Sequence, residues 1–196
     1  MDVREARLNE PHVRPLMDLV RSLRARGNDV PNVDPNDGGI YARLLVLMET
    51  PGPRAVGSGF VSRDNPDPSA RNIGKVLDDA SIGRSDVVLW NVVPHCVSCI
   101  DFNRNVTSKQ IREAARATQA FIELLPRLAV VVFCGLSAQR ALRLLYLPAH
   151  ARALSTFHTG AQSYNHVRCR AHIHDTFKEA HAICSDQREK VGAGGG

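Results

Sequence analysis

Three apolar stretches that each end in polar residues decide the fold of this chain: LLVLMETPGP (Leu44–Pro53), VVLWNVVPH (Val87–His95) and STFHTG (Ser155–Gly160). Continuous apolar runs of this length are typical of buried parallel strands covered by helices on both faces. Ligands of open α/β sheets bind outside the carboxyl ends of such strands. We therefore expect Glu49, Asn91 and His158, which end or follow the three runs, to converge on one crevice.

The rest of the chain alternates between apolar runs and segments with helical spacing. AVVVFC at 129–134 predicts a third strand, and the fourth strand is predicted at 153–157. Helices are predicted at 9–27 (with a start at Asn9 and Pro11), 72–80, 107–125, 137–145 and 165–184, and a long irregular stretch at 49–71. This order predicts a three-layer α/β/α fold with a central, mainly parallel four-stranded sheet. We expect a single domain over 1–190 and a flexible tail over 191–196.

Composition and charge narrow the class of protein. The 196 residues are 43% hydrophobic and carry a net charge of +5, with a pI of about 9.2. No apolar run approaches the ~18 residues of a membrane-spanning helix, and the polar start MDVREARLNE is unlike a signal peptide. An odd number of cysteines favours a reducing, cytoplasmic location. The basic charge permits a polyanionic partner but does not demand one.

The sequence lacks the motifs of several common classes of enzyme and metal site. GPRAVGSG, residues 52–59, has glycines but not the Lys-Ser/Thr pair that binds phosphates in a P-loop. Cys134 follows a strand, as a hydrolase nucleophile would, but no His or acid lies beside it in sequence. Cys96 and Cys99 form a single CxxC pair, and the histidines after residue 165 share no face, so we expect no metal.

Five short motifs occur in a specific order along the chain: Met48-Glu49-Thr50-Pro51-Gly52, Phe60 in GFVS, Asn91 in LWNVVP, Asn103-Arg104 before a helix, and His158 in HTGAQ. In this order and spacing, over about 44–163, the chain resembles the uracil-DNA glycosylase superfamily. The resemblance implies that the protein hydrolyses the N-glycosidic bond of uracil in DNA and leaves an abasic site. It also implies free uracil as the product, with uracil-containing DNA as the partner.

The resemblance and the local sequence together give the candidate site residues. Those for catalysis are Glu49, Thr50, Asp64 and His158. Those for holding the base are Pro51, Gly52, Phe60 and Asn91. Those for contacting DNA are Gln162, Arg168 and Arg170. Asn91 would read the uracil edge, Phe60 would stack on the base, and His158 would donate to the oxygen that gains charge. Glu49 and Asp64 are the candidates for positioning the water.

The chain departs from the family pattern at informative positions. Thr50 stands where other branches carry the Asp or Asn that positions the water, and Gly52 where one branch carries a Tyr that blocks the methyl group of thymine. The N-terminal cysteine pair of the iron–sulfur branch is absent. We therefore expect a divergent class similar to the one described from Bradyrhizobium. We expect it to lack a cluster or other cofactor, and to act as a monomer on the bacterial nucleoid.

Two other functions remain open from the sequence. The first is a protein of the same fold that binds abasic or damaged DNA with little turnover, which the missing acid at Thr50 favours. The second is a cysteine hydrolase built on Cys134.

Overall fold

The structure, a computed structural model, describes residues 2–97 and 106–193. Within these ranges the strands are β1 (Asn32–Val33), β2 (Leu44–Met48), β3 (Phe60–Val61), β4 (Val87–Asn91), β5 (Val130–Cys134) and β6 (Arg152–Thr156). The α-helices are α1 (Arg14–Arg24), α2 (Pro53–Ser58), α3 (Pro68–Asp79), α4 (Ser108–Glu123), α5 (Leu136–Ala141), α6 (Ala161–Tyr164) and α7 (Val167–Ala193).

A parallel sheet forms the centre of the molecule. Its strand order is β4-β2-β5-β6, and each neighbouring pair is parallel. All four strands lie within a residue or so of their predicted positions, because their apolar runs end abruptly at polar or turn-forming residues. The predicted three-layer α/β/α fold is confirmed. The chain leaves β2 toward β4 on one side and later returns to β5 on the other, which makes the β2–β5 border a topological switch point.

The two faces of the sheet are buried against different helices. Side chains of a strand point alternately to opposite faces. Leu45, Leu47 and Trp90 belong to the core that includes α1, α4 and α5. Val46 and Leu89 belong to the core that includes α3 and α7. Burial on both faces explains why these strands read as unbroken apolar runs.

The first helix begins later than predicted. It starts at Arg14 rather than at Asn9 or Pro11, and Pro15 occupies its first turn. The side chain of Asn9 does not cap this helix, because its oxygen accepts a hydrogen bond from the Arg21 guanidinium at 2.9 Å. The chain before α1 instead forms a 3₁₀-helix at Val3–Arg7 and a set of turns.

The stretch 49–71, predicted to be irregular, contains regular structure. It holds α2, β3 and the beginning of α3. Proline suits the first turn of a helix, and Pro53 and Pro68 both occupy that position. The side chain of Asp67 caps α3 by accepting from the backbone N–H of Ala70 at 3.0 Å. Gly59 ends α2 with φ +77°, a conformation that favours glycine.

The later helices follow the prediction more closely. Thr107 caps α4 through a reciprocal capping box with Gln110, as predicted at this end. Helix α7 continues to Ala193, so the first part of the predicted tail is helical, and residues 194–196 lie outside the described ranges. No helix of the described part of the chain is long and apolar enough to cross a membrane.

The loop that follows β1 contributes two carboxylates to a buried cluster of charges. Asp34 and Asp37 are almost fully buried, and Arg63 beside them is 8% exposed. The Asp37 carboxylate lies 3.9 Å from Arg63 Nε and 3.4 Å from Arg84 Nη1. Burial, together with the charge of Asp34, raises the pKa of Asp37 to about 7, although Arg63 and Arg84 act in the opposite direction.

Asp37 should make the stability of the protein depend on pH. Because its folded pKa lies above the usual value of 3.8, the folded state retains a proton between about pH 4 and about pH 7 that the unfolded state has lost. The free energy of unfolding should therefore fall over this interval by about 2–4 kcal/mol on account of this carboxyl. Urea unfolding of Asp37→Asn should show a flatter pH dependence, whereas exposed Asp18→Asn should behave as wild type. An unchanged pH dependence in Asp37→Asn would contradict this.

Candidate active site

A cavity of about 320 Å³ opens at the carboxyl edge of the sheet, near the ends of β2 and β4 and beside α2 and α3. Asn91 ends one apolar run and His158 follows another. Both line this cavity, as expected for these two residues. Its apolar lining comes from Met48, Pro51, Val61 and Ile73, among others. The volume lies within the range of about 300–1,000 Å³ that is usual for small-molecule sites. We refer to it as the first cavity.

Asn91 presents an unpaired amide to the first cavity. It is the last residue of β4, lies opposite Met48 of β2 and is 2% exposed. Its side chain makes no hydrogen bond to any residue in 2–97 or 106–193. Such a group beside a cavity is suited to a ligand that offers one acceptor and one donor.

His158 is held as a neutral imidazole with a defined tautomer. Its Nδ1 accepts a hydrogen bond from the backbone N–H of Gly160 at 2.9 Å, so the ring proton is on Nε2. Burial lowers the pKa of His158 below its usual value, although Glu49 and Asp67 act to raise it. The residue therefore offers a single N–H donor at neutral pH. His158 lines the first cavity and also a second cavity beside it.

Two glycines leave room for this imidazole. A Cβ at Gly160 would lie 2.8 Å from His158 Nδ1, and one at Gly135 would lie 3.1 Å from His158 Cβ. Gly135 also has φ +87°, a conformation that few other residues adopt. The position of the ring thus depends on the backbone of two loops, those after β5 and β6.

Gly160→Ala should displace the imidazole and break its bond to the backbone. Because the Gly160 N–H favours an unprotonated Nδ1, its loss should allow the ring proton to redistribute between Nδ1 and Nε2. Nitrogen-15 NMR of the histidine ring should detect this change in tautomer. Gly57→Ala is the matched control, since a Cβ there meets nothing within 4 Å. A wild-type His158 signal in Gly160→Ala would refute this account of the tautomer.

Glu49 lies in a second cavity, of about 730 Å³, on the other side of His158. Its Oε1 accepts a hydrogen bond from the backbone N–H of Val106 at 3.2 Å. Arg140 and the ring of Phe157 also line this second cavity. Glu49 acts to raise the pKa of His158, so the two side chains are close enough for their charges to interact. Glu49 does not line the first cavity, so Glu49, Asn91 and His158 do not all share one crevice as expected.

Thr50 has a structural role that the sequence did not predict. Its hydroxyl donates to the carbonyl oxygen of His95 at 2.6 Å and accepts from the N–H of Val97 at 3.3 Å. These bonds join the loop after β2 to the loop after β4. The hydroxyl is therefore already occupied, and the prediction that Thr50 takes part in catalysis gains no support from its contacts.

Pro51 and Gly52 line the first cavity, as predicted for residues that hold the base. Pro51 is buried and Gly52 is exposed at the start of α2. A Cβ at Gly52 would meet nothing within 4 Å. The absence of a side chain at this position leaves the mouth of the cavity open.

The prediction that Phe60 stacks on a ligand is wrong. Its ring is fully buried, and the guanidinium of Arg4 lies 4.1 Å above it. Phe60 belongs to β3, which pairs with β1 in a small separate sheet, and in this register Val61 rather than Phe60 faces the first cavity. Alternation along a strand puts neighbouring side chains on opposite faces.

Asp64 is also outside the site, contrary to the prediction that it positions a water. It forms an ion pair with Arg84 on a different surface and is about half exposed. The acid that sequence reasoning missed is Asp67, which lines the first cavity and affects the pKa of His158. The Asp67-Pro68 pair before a segment of helical spacing was the available signal, because it is a typical helix start.

The predicted DNA-contacting residues lie beyond both cavities. Gln162 is exposed on α6, and Arg168 and Arg170 lie in the first turns of α7. None of the three lines the first or second cavity. Their contact with DNA stays a prediction. Asn103 and Arg104 fall outside the described residues.

Cys134 does not form a reactive centre. Cys134 is completely buried, and burial raises the pKa of its thiol to about 12, so it supplies no thiolate near neutral pH. Cys169 and Cys184 are also outside disulfide bonds, whereas Cys96 is disulfide-bonded, at odds with the reducing environment expected from the cysteine count. In the parts of the chain that the structure describes, no group of three or more potential ligands could hold a metal ion.

Comparison of the chain with protein-family models found no match, and neither did comparison with curated proteins.

Proposed function

We propose that this protein is a uracil-DNA glycosylase that hydrolyses the N-glycosidic bond of uracil in DNA and leaves an abasic site. One observation carries the proposal: the unpaired amide of Asn91 and the single N–H of neutral His158 face the same small cavity. The order of short motifs along the chain adds to it. The cavity lies at the carboxyl edge of the sheet, where α/β proteins bind their ligands.

Asn91 is suited to read the edge of uracil. Its amide N–H donates to a carbonyl oxygen of the base, and its amide oxygen accepts from the ring N–H. Cytosine presents the reverse pattern and would leave both groups mispaired. The enzyme must first extrude the nucleotide from a duplex, which costs a few kcal/mol. The apolar lining from Met48, Pro51, Val61 and Ile73 offsets part of that cost by removing the base from water.

His158 is suited to stabilise the departing base. As the bond between the sugar C1′ and uracil N1 breaks, its electron pair moves onto the uracil ring and its oxygens. A donor already oriented toward that developing charge is worth most in a site from which water is excluded. The Nε2–H of His158 can act in this way without giving up its proton, because a neutral imidazole is a poor acid.

Glu49 is the group best suited to accept a proton from the attacking water. A water must add its oxygen to the sugar C1′ and lose a proton, for which a carboxylate is the natural acceptor. Glu49 lines the second cavity together with His158, and one of its oxygens accepts from the Val106 N–H. Asp67 is already used to cap α3. The departing uracil anion takes a proton from water after release, and Glu49 returns its proton to water.

Glu49→Gln should therefore slow uracil release by about 100-fold or more, since a general base typically contributes about 10²–10⁴-fold. The substitution keeps the size of the side chain and an oxygen that can accept from Val106. The matched control is Asp64→Asn, an exposed acid on another surface, which should leave the rate within about twofold of wild type. Single-turnover release from a uracil oligonucleotide measures both. Equal effects of the two variants would reject the role of Glu49.

The alternative is a protein of the same fold that binds abasic DNA with little turnover. The bonds of the Thr50 hydroxyl to the backbone favour it, because they occupy the group that stands in the usual place of the water-positioning residue. Two assays on the same preparation separate these functions. A glycosylase releases free uracil from single- or double-stranded oligonucleotides over many turnovers. A binding protein instead binds abasic DNA tightly in a titration and releases no uracil.

The proposal also includes where and in what form the protein acts. Uracil-containing DNA is the partner, uracil and abasic DNA are the products, and the protein works as a monomer in the bacterial cytoplasm. The net charge of +5 suits it to a polyanionic substrate.

A further inference from the structure

Three neighbouring cavities form a continuous track across the carboxyl edge of the sheet. The first and second cavities share His158. The second shares Leu136, Gln139 and Arg140 with a third cavity of about 500 Å³ between α4 and α5. The track therefore leads from Asn91, past His158, to the outer surface of α5.

The far end of the track is strongly cationic. Arg112, Arg140 and Arg143 line the third cavity, and none of the carboxylates within residues 2–97 and 106–193 lines it. All three arginines are exposed, and none has an ion pair or side-chain hydrogen bond within residues 2–97 or 106–193. Other exposed arginines, Arg14 and Arg26 among them, are also without ion pairs, so the third cavity is distinguished by its grouping of three guanidinium groups. Unpaired guanidinium groups in a groove are suited to phosphate oxygens, which they bind in a bidentate manner.

The middle of the track combines apolar surface with hydroxyl groups. Phe157 is 44% exposed and offers a ring on which a base can stack, and Leu136, 71% exposed, adds apolar contact surface. Ser137 and Ser155 line the same second cavity and can donate to a sugar–phosphate backbone. Aromatic faces beside a cationic groove are the usual means of binding a single strand without sequence preference.

We propose that this track, lined by Phe157, Leu136, Arg140, Arg143 and Arg112, binds the strand of DNA that flanks the nucleotide held at Asn91. The strand leaves the first cavity past His158 and runs between α4 and α5, not along the start of α7 where Arg168 and Arg170 lie. The identity of the nucleotide at Asn91 rests on the proposed function, whereas the binding of the strand by the arginines can be tested without it.

The test is the salt dependence of binding to a short, fluorescein-labelled oligothymidine that contains no uracil. For a single strand, the slope of log K against log salt falls by about 0.7 for each phosphate contact that is lost. Arg140→Ala/Arg143→Ala should therefore reduce the slope by about 1.4, which corresponds to about 25-fold weaker binding at 0.1 M salt. Fluorescence anisotropy over a series of salt concentrations measures both quantities.

The matched control is Arg14→Ala/Arg26→Ala, which removes two exposed arginines without ion pairs that line none of the three cavities. This variant should keep the wild-type slope. A wild-type slope in Arg140→Ala/Arg143→Ala, or an equal loss in the control, would overturn the proposal. Since the probe contains no uracil, loss of binding in a protein that releases no uracil would sustain the track and reject only the glycosylase activity.

Discussion

His158→Ala should lower the single-turnover rate of uracil release by about 10²–10³-fold, the usual cost of removing one donor to a developing negative charge. The loss should fall mainly on the rate and much less on the affinity for uracil-containing DNA, because the charge exists mainly in the transition state. Exposed His150, outside both cavities, provides the matched control, and His150→Ala should keep the wild-type rate. A near wild-type rate in His158→Ala would assign the residue a structural role.

The dependence of the uracil-release rate on pH tests the role of His158 independently. Burial lowers the pKa of His158, so the neutral form with its Nε2–H persists in the folded protein at pH values where a free imidazole already takes up a proton. As pH falls from 8 toward 6.5, titration of His158 should not reduce the rate, and a decline should begin only at lower pH. A decline centred at about pH 6.5 that disappears in His158→Ala would mean that the imidazole titrates as in water.

Asn91→Asp should lower uracil release by about 10²–10⁴-fold, the effect of leaving one or two buried groups mispaired at about 1–3 kcal/mol each. A carboxylate can accept from the amino group of cytosine but cannot donate to the carbonyl oxygen of uracil. The ratio of uracil to cytosine release should therefore fall, and any remaining activity should shift toward cytosine. Parallel assays on otherwise identical uracil and cytosine oligonucleotides give this ratio directly.

Asn28→Asp is the matched control for the change of amide to acid. Asn28 lies in the loop after α1, where its side chain donates to the Leu23 carbonyl. The variant should keep both the rate and the base preference of wild type. An unchanged preference in Asn91→Asp would show that another group reads the base.

The sequence predicted those parts of the site that depend on the local pattern of apolar and polar residues. The runs at 44–48 and 87–91 are apolar because both faces of the strands are buried, and they end where the sheet ends. The alignment of parallel strands then brings Asn91 close to the residues that follow β2. The same reasoning located His158, although it could not supply the Gly160 N–H that fixes its tautomer.

The parts that the sequence did not predict depend on contacts between distant segments. Phe60 was misassigned because its direction depends on the pairing of β3 with β1, nearly 30 residues earlier, in strands of only two residues. Asp64 was misassigned because its partner Arg84 lies in a different loop. The hydroxyl of Thr50 is occupied by the loop at 95–97, about 45 residues later. None of these contacts leaves a periodic signal in the sequence.

The central claim is that the first cavity removes uracil from DNA, and it is tested most directly by mass spectrometry of the products. Purified protein in excess is incubated with a single-stranded oligonucleotide that carries one uracil, beside His158→Ala prepared identically. The account predicts free uracil and an equal amount of abasic oligonucleotide from the wild-type protein, with release slowed by about 10²–10³-fold in the variant. Intact oligonucleotide after incubation with excess wild-type protein, or equal release by both preparations, would contradict it.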